Sequence, residues 1–382
     1  MKKPLFSLLF ATVSLFTCAA IHTVSKEAVI PAQFTSIQAA VNASEHGDTI
    51  YIYGAGTMYS ENVVLTKKLS LIGSGFNPDR EDRMPTRIMN IVFTRGASEN
   101  ENSSGSVISG VEATDMTITR ASQNVPIPSG FLIERCKINT LQRLCGSSIL
   151  IRHNIITSLI FGGNPGLGTD ITISNNIIEN ISSINSGASL ITNNIIGTCS
   201  ATLKNAVWQN NIFLGDYFYS TTSIFHSDRS GYSFEVSGNA FSNNLTASGN
   251  LFESAYQEYY TPVDALANVY YNSGYQGINT GTGNLHATAP RFEYIALSKS
   301  IDFQFNDFRL KNDSPGKNAG TDGTDIGIYG GNNPWPDGGA PGSGFQLSPM
   351  PAIPHIISSK LLNPVVRQGE DLHLEIKIKI EN

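Results

Sequence analysis

The sequence predicts an all-β chain wound as a parallel β-solenoid, and three of its features carry that prediction. The first is a motif: SNNIIEN at 174–180 returns as TNNIIGT at 192–198, with the same two asparagines and two isoleucines. With the second Asn as position zero, windows centred on Cys136, Asn154, Asn176, Asn194, Asn211, Asn239 and Asn250 share apolar residues at −3 and +2, and at −5 in all but one. Self-similarity of this kind marks stacked repeats. The second feature is parity. Positions −5 and −3 keep the two-residue period of a strand, as do zero and +2, whereas the step from −3 to zero breaks it. Two short strands therefore meet at a corner in every repeat. Third, no amphipathic helical pattern separates these strands, which removes an alternation of helices and strands.

In chain order, residues 1–20 carry Lys2 and Lys3 and then an uncharged run ending in small residues, the form of a secretory signal cut after Ala20. Lipid attachment at Cys18 is the disfavoured alternative, because Phe16 and Thr17 fit that pattern poorly. Thr35-Ser36-Ile37-Gln38 has the form of a capping box. Behind it, Ile37, Ala40, Val41 and Ser44 share one face of a short helix able to cover the first open coil. Short strands broken by glycines follow.

From Cys136 to Asn211 the windows recur at intervals of 18, 22, 18 and 17 residues, each coil stacking about 4.8 Å above the last. The next intervals, 28 and 11, leave one of Asn239 and Asn250 off the series. The amides of Asn154, Asn176, Asn194, Asn211 and Asn239 are expected to face inward at the corner, each bonded to its neighbour in the next coil. The solenoid is expected over 21–331, a Pro/Gly-rich extended linker over 332–354, and a strand-rich C-terminal tail over 355–382.

The chain of 382 residues is 15% charged with a formal charge of −6, and it has no basic stripe, which argues against nucleic acid as a partner. After the signal no run of about eighteen apolar residues exists to span a membrane. The expected location is secreted or attached to a cell surface. Cys136, Cys145 and Cys199 allow at most one internal disulfide, and no Cys/His spacing suggests zinc.

The segment SIQAAVNASEHGDTIYIYGAGTMYSENVVLTKKLSLIGSG, the Asn-cornered coils and the closing SPGKNAGTDGTDIGIYGG together resemble the secreted right-handed parallel β-helix proteins of the pectin-lyase-like group. The resemblance runs from Phe34 to Gly331. It implies a right-handed β-helix, and an activity among polysaccharide lyases or glycoside hydrolases. Lyases of the group set acidic calcium ligands beside an Arg or Lys base; hydrolases need two carboxylates about the glycosidic bond. Asp322 and Asp325 in DGTD come closest to such a pair, but they read as a turn that ends the last coil. No cofactor is evident, calcium remains open, and no nonapeptide calcium repeat is visible.

Binding is therefore the preferred reading: an exported scaffold for polysaccharide, cell-surface glycan or other surface contacts, with lyase or hydrolase activity on an acidic polysaccharide as the alternative. Stacked coils would gather Arg135, Arg152 and His153 on one surface suited to an anionic sugar. The competing reading is an exposed Glu134–Arg152 ion pair with its neighbours solvated. Tyr217, Tyr219, Tyr232, Tyr256, Tyr259 and Tyr260 belong to a tyrosine-rich stretch whose rings could stack on sugars or pack excursions onto the solenoid. Finally, position +1 places Ile155, Ile177, Ile195, Ile212, Ala240 and Leu251 in an outer apolar stripe, which a loop, the tail or another subunit should cover.

Overall fold

A computed structural model describes residues 19–75, 84–98, 100–162, 170–183, 189–200, 207–213, 234–237, 240–241, 260–262, 269–271, 279–280, 292–294, 307–335, 355–361 and 373–379. Two parallel sheets of eleven and nine strands form its body, and the order of strands within each sheet follows their order in the chain. Each coil contributes one short strand to the larger sheet and, past the corner, one strand to the other. The coil Ile149–Arg152 and Ile155–Phe161 is representative. It pairs on one side with Leu132–Glu134 and Lys137–Leu144, and on the other with Ile171–Ser174 and Ile177–Ser183. This is a parallel β-solenoid, and one continuous core runs through it from Val24 to Ile196.

The corner explains the parity change. Position −1 is left-handed in coil after coil: φ is 54° at Arg135, 56° at His153, 53° at Asn175, 56° at Asn193 and 56° at Asn210. Gly110, φ 70°, makes the same turn one coil before Arg135 and extends the series below the first window. Asn and Gly enter this region at low steric cost, whereas Arg135 and His153 are held there by their neighbours.

Turning the corner takes the position-zero N–H out of the backbone ladder, and the amide one coil on replaces the missing acceptor. Cys136 N–H donates to Asn154 Oδ1 at 2.9 Å, Asn154 N–H to Asn176 Oδ1 at 2.9 Å, Asn176 N–H to Asn194 Oδ1 at 2.9 Å, and Asn194 N–H to Asn211 Oδ1 at 3.0 Å. Each Nδ2 group donates to backbone carbonyls, as Asn176 does to Ile151 and Ser174, both at 2.9 Å. All four amides are fully buried and satisfied. Asn239 lies outside the described residues. Cys136 occupies the first of these positions as a buried apolar group, its thiol pushed up to about 12 by burial.

The N-terminal end is closed by the helix Ile37–Ala43, whose Ile37, Ala40 and Val41 join the core. Its N-cap is Ser36, not Thr35, and the reciprocal carboxylate comes from a strand rather than from the helix. Glu61 accepts from Ile37 N–H at 3.1 Å, Gln38 N–H at 2.9 Å and the Ser36 hydroxyl at 2.8 Å. Gln38 instead acts as a surrogate strand, accepting Val64 N–H at 2.7 Å on the edge of the nine-stranded sheet. On the other sheet the edge strand Ile21–Val24 is covered by Gln33 and Phe34, whose groups bond Thr23 and Ser25. At the far end of the chain, His355–Leu361 and Leu374–Lys379 pair as an antiparallel hairpin.

Candidate functional site at the outer corner

The outer corner carries a strap. The segment 307–335 does not end a coil with its DGTD turn; it runs back along the outside of the corner, from the coil of Asn210 towards that of His153. The side chains of position −1 hold it. Asn210 Oδ1 accepts Thr321 N–H at 2.9 Å, Asn193 Nδ2 donates to Gly327 O at 3.4 Å, and Asn175 Nδ2 donates to Ile328 O and Gly330 O at 2.9 Å each. The two asparagines of each NN pair therefore differ in role. The second faces inward and completes the coil, whereas the first turns the corner and binds the strap.

Beneath the strap lies the outer stripe. Ile177, Ile195 and Ile212 form a second apolar cluster with Phe308, Leu310, Ile326, Ile328 and Trp335, separate from the interior core. Ile155 packs against this cluster half-buried. The cover is thus a segment of the same chain. Gly327 is required there, with φ 94° and Ile212 Cδ1 only 2.7 Å from where a Cβ would stand. In earlier coils the same +1 column holds Arg87, Glu112 and Lys137, so it changes from charged to apolar on entering the strapped coils. The described part of Ala240 is paired with Ile212, and Leu251 lies outside the described residues.

Arg135, Arg152 and His153 stand at the last part of the strap. Arg152 is paired with Glu134 on the preceding coil, its Nε and Nη2 both 2.8 Å from Oε2, and its Nη1 reaches Asn333 Oδ1 at 3.3 Å. Arg135 adjoins them, half-buried, its N–H donating to Arg152 O at 3.4 Å. His153 is 6% exposed, with Nε2 2.7 Å from Asn333 O and its ring edge-on to Trp335 at 6.3 Å. Burial holds the imidazole below its ordinary pKa, and the charges of Arg152 and Arg135 act in the same direction; the Asn333 carbonyl and Glu134 oppose them. Its Nδ1 is buried and has no hydrogen-bond partner among the described residues. A neutral imidazole donating from Nε2 fits these contacts. Asn333 and Trp335, which composition assigns to a linker, are docked: Trp335 is 2% exposed and donates from Nε1 to Asn175 O at 2.5 Å.

Beyond the corner, the second strand of each coil bends at +3 and presents positions +4 and +6 on an outer face. The register stacks Asn90, Asp115, Thr140, Ser158 and Asn180 in one column, and Val92, Thr117, Gln142, Ile160 and Ser182 in the other. Gln142 Nε2 donates to Asp115 Oδ2 at 2.6 Å, and Thr117 bonds the other oxygen of that carboxylate. Sequence reasoning that stops at +2 misses this face. Extending the same windows four residues would find it.

Of the candidate sugar-stacking rings, Tyr217, Tyr219, Tyr232, Tyr256 and Tyr259 lie outside the described residues. Tyr260 is described only as part of a strand that pairs with Val269–Tyr271. Asp322 and Asp325 serve the strap: Asp322 accepts Thr324 N–H at 3.0 Å, and Asp325 pairs with Lys317 at 2.7 Å. Among the described residues no group of three or more His, Cys, Asp or Glu side chains could hold a metal ion, and no helix is long and apolar enough to cross a membrane. Fold and corner together define a strapped parallel β-solenoid. No protein-family model matches the chain, and no curated protein matches it at a significant level.

Proposed function

We propose that the protein is an exported scaffold that binds an extended polysaccharide along the outside of its coils. The observation that carries this reading is the outer face, whose two columns bear hydroxyl and amide side chains at Thr140, Ser158 and Asn180 and at Thr117, Gln142 and Ser182, interrupted by Asp115 in the first and by Val92 and Ile160 in the second, at the strand spacing of about 4.8 Å. A rigid row of like donors and acceptors suits a polymer that repeats the same hydroxyl groups, because each contact is added without reorganising the site. Arg135 and Arg152 are the contacts for uronate carboxylates, with His153 beside them. The Glu134 carboxylate that orients Arg152 also offsets its charge, so the corner contributes selectivity for acidic chains more than affinity.

A panel of acidic and neutral polysaccharides tests the reading by affinity measurement, with unsaturated products assayed in parallel with and without chelator. Binding is expected without cleavage. Thr140→Arg together with Ser158→Arg should weaken it about tenfold or more, equivalent to about 1.4 kcal/mol. Arg135→Ala together with Arg152→Ala should weaken acidic polymers selectively. Absence of binding across the panel, or affinity unchanged in both pairs of variants, would overturn the proposal, and release of unsaturated products would replace it with a lyase.

A further inference from the structure

We infer that export is completed by cleavage of the Ala19–Ala20 bond, one residue before the site that composition favours, and that the α-ammonium group so formed is the counter-ion of Asp48. This rests on the export reading above. Asp48 is 5% exposed. Its Oδ1 accepts Ala20 N–H at 2.7 Å, while Oδ2 accepts Glu45 N–H at 2.8 Å and faces His22 Nε2 at 3.2 Å. Although burial acts to raise it, these hydrogen bonds hold the carboxyl below its ordinary pKa, so it stays ionised. Among the described residues its one ion-pair partner is an imidazole, which is charged only when protonated. A carboxylate so little exposed is stabilised by a cation that stays protonated at neutral pH within hydrogen-bond reach, as an α-ammonium group does and an imidazole of ordinary pKa does not.

Hydrolysis by a membrane-bound signal peptidase supplies that cation. One water is consumed and the C–N bond breaks; the water oxygen leaves with Ala19 in the new carboxylate, and the nitrogen of Ala20 takes up both water protons. That nitrogen already lies against Asp48 Oδ1, so the bond persists and becomes charge-assisted at both ends. Cleavage after Ala20 would remove this donor. It would also remove the Ala20 carbonyl that accepts Thr49 N–H at 2.9 Å, where the edge strand Ile21–Val24 begins its pairing with Thr49–Ile52. Thr17 and Ala19 supply the small residues that a signal peptidase requires before the cut, and Ala19 and Ala20 are both exposed.

The test is the N-terminus of the full chain, expressed with a C-terminal tag in an exporting bacterial host and read by intact mass and N-terminal peptide sequencing. A chain beginning at Ala20 is expected. Export with Ile21 or a lipidated Cys18 at the N-terminus overturns this inference alone; an uncleaved chain retained in the cytoplasm overturns the export reading with it. A second measurement isolates the counter-ion. A chain beginning at Ala20 should melt about 2 °C or more above one carrying a single additional Gly before Ala20. That difference should vanish when both carry Asp48→Asn. Equal midpoints in the two Asp48 chains would reject the ion pair.

Discussion

Asn176 is the residue on which the coil depends most directly. Its oxygen is the acceptor for both Asn154 N–H and Asn154 Nδ2, at 2.9 and 3.0 Å, and its own amide hydrogens reach carbonyls on two coils. Asn176→Ala should therefore destabilise the fold by about 2 kcal/mol or more, since it strands a buried backbone donor and empties the volume around it. Denaturant unfolding of the variant would measure this. The first Asn of the pair behaves differently: replacing Asn175 should loosen the strap and leave the interior ladder intact. Sequence shows two identical letters here. Their period placed the second at a corner, but nothing local distinguished an inward amide from one that enters left-handed backbone and bonds a segment 153 residues away.

Past the short strand Asp307–Leu310 the strap has no regular secondary structure, and it is held by a row of side chains and one apolar cluster. Its docking makes the protein sensitive to acid through His153. The imidazole is held below its ordinary pKa by burial, so the folded state favours the neutral form while the unfolded chain takes up a proton near pH 6.5. The resulting stability is complete above that pH and declines as pH falls towards the depressed folded value, by at most about 1.4 kcal/mol per pH unit. Arg152, Arg135 and Glu134 are the charged groups facing the ring, and the strap presents Asn333 and Trp335. A dye that binds apolar surface should gain fluorescence as the pH falls below about 6.5 in the native chain and not in His153→Asn, which keeps a residue suited to the corner and removes the titration. An identical acid profile in the two chains would exclude His153. The stripe beneath was legible because isoleucine recurs at +1. Its cover was not, because a Gly-rich run with two aspartates has the composition of a turn, and its bonds are made largely by backbone carbonyls and amides that carry no signature in side-chain pattern.

At the scale of the molecule, a solenoid is stabilised coil on coil, so its ends decide where unfolding begins. The N-terminal end is built as a terminus: helix, Glu61 clamp, and Gln38 on the open sheet edge. Glu61→Ala should release the helix for about 1 to 2 kcal/mol, and hydrogen exchange should show the loss first in residues 37–43 and the adjoining edge, with the coils around Asn176 protected as before. Uniform loss of protection would show that the cap and the coils open together. The parallel stacking was legible at this scale because one corner geometry recurs and each recurrence uses the same few residue types. The outer polar face was less so, since Thr, Ser, Asn and Gln on a solvent side carry no constraint that distinguishes contact from mere solubility.

The direction of the strap also has a consequence for synthesis. Coils can form in the order in which the chain emerges, each on the one before it, but Thr321 stands 111 residues beyond the Asn210 that receives it and Trp335 stands 160 beyond Asn175. Until those residues are delivered, the isoleucines of four successive coils remain uncovered on a rigid surface. A nascent chain stalled in that interval would present a template for its neighbours, so the speed at which residues 213–335 are synthesised sets how long that surface stays open to association.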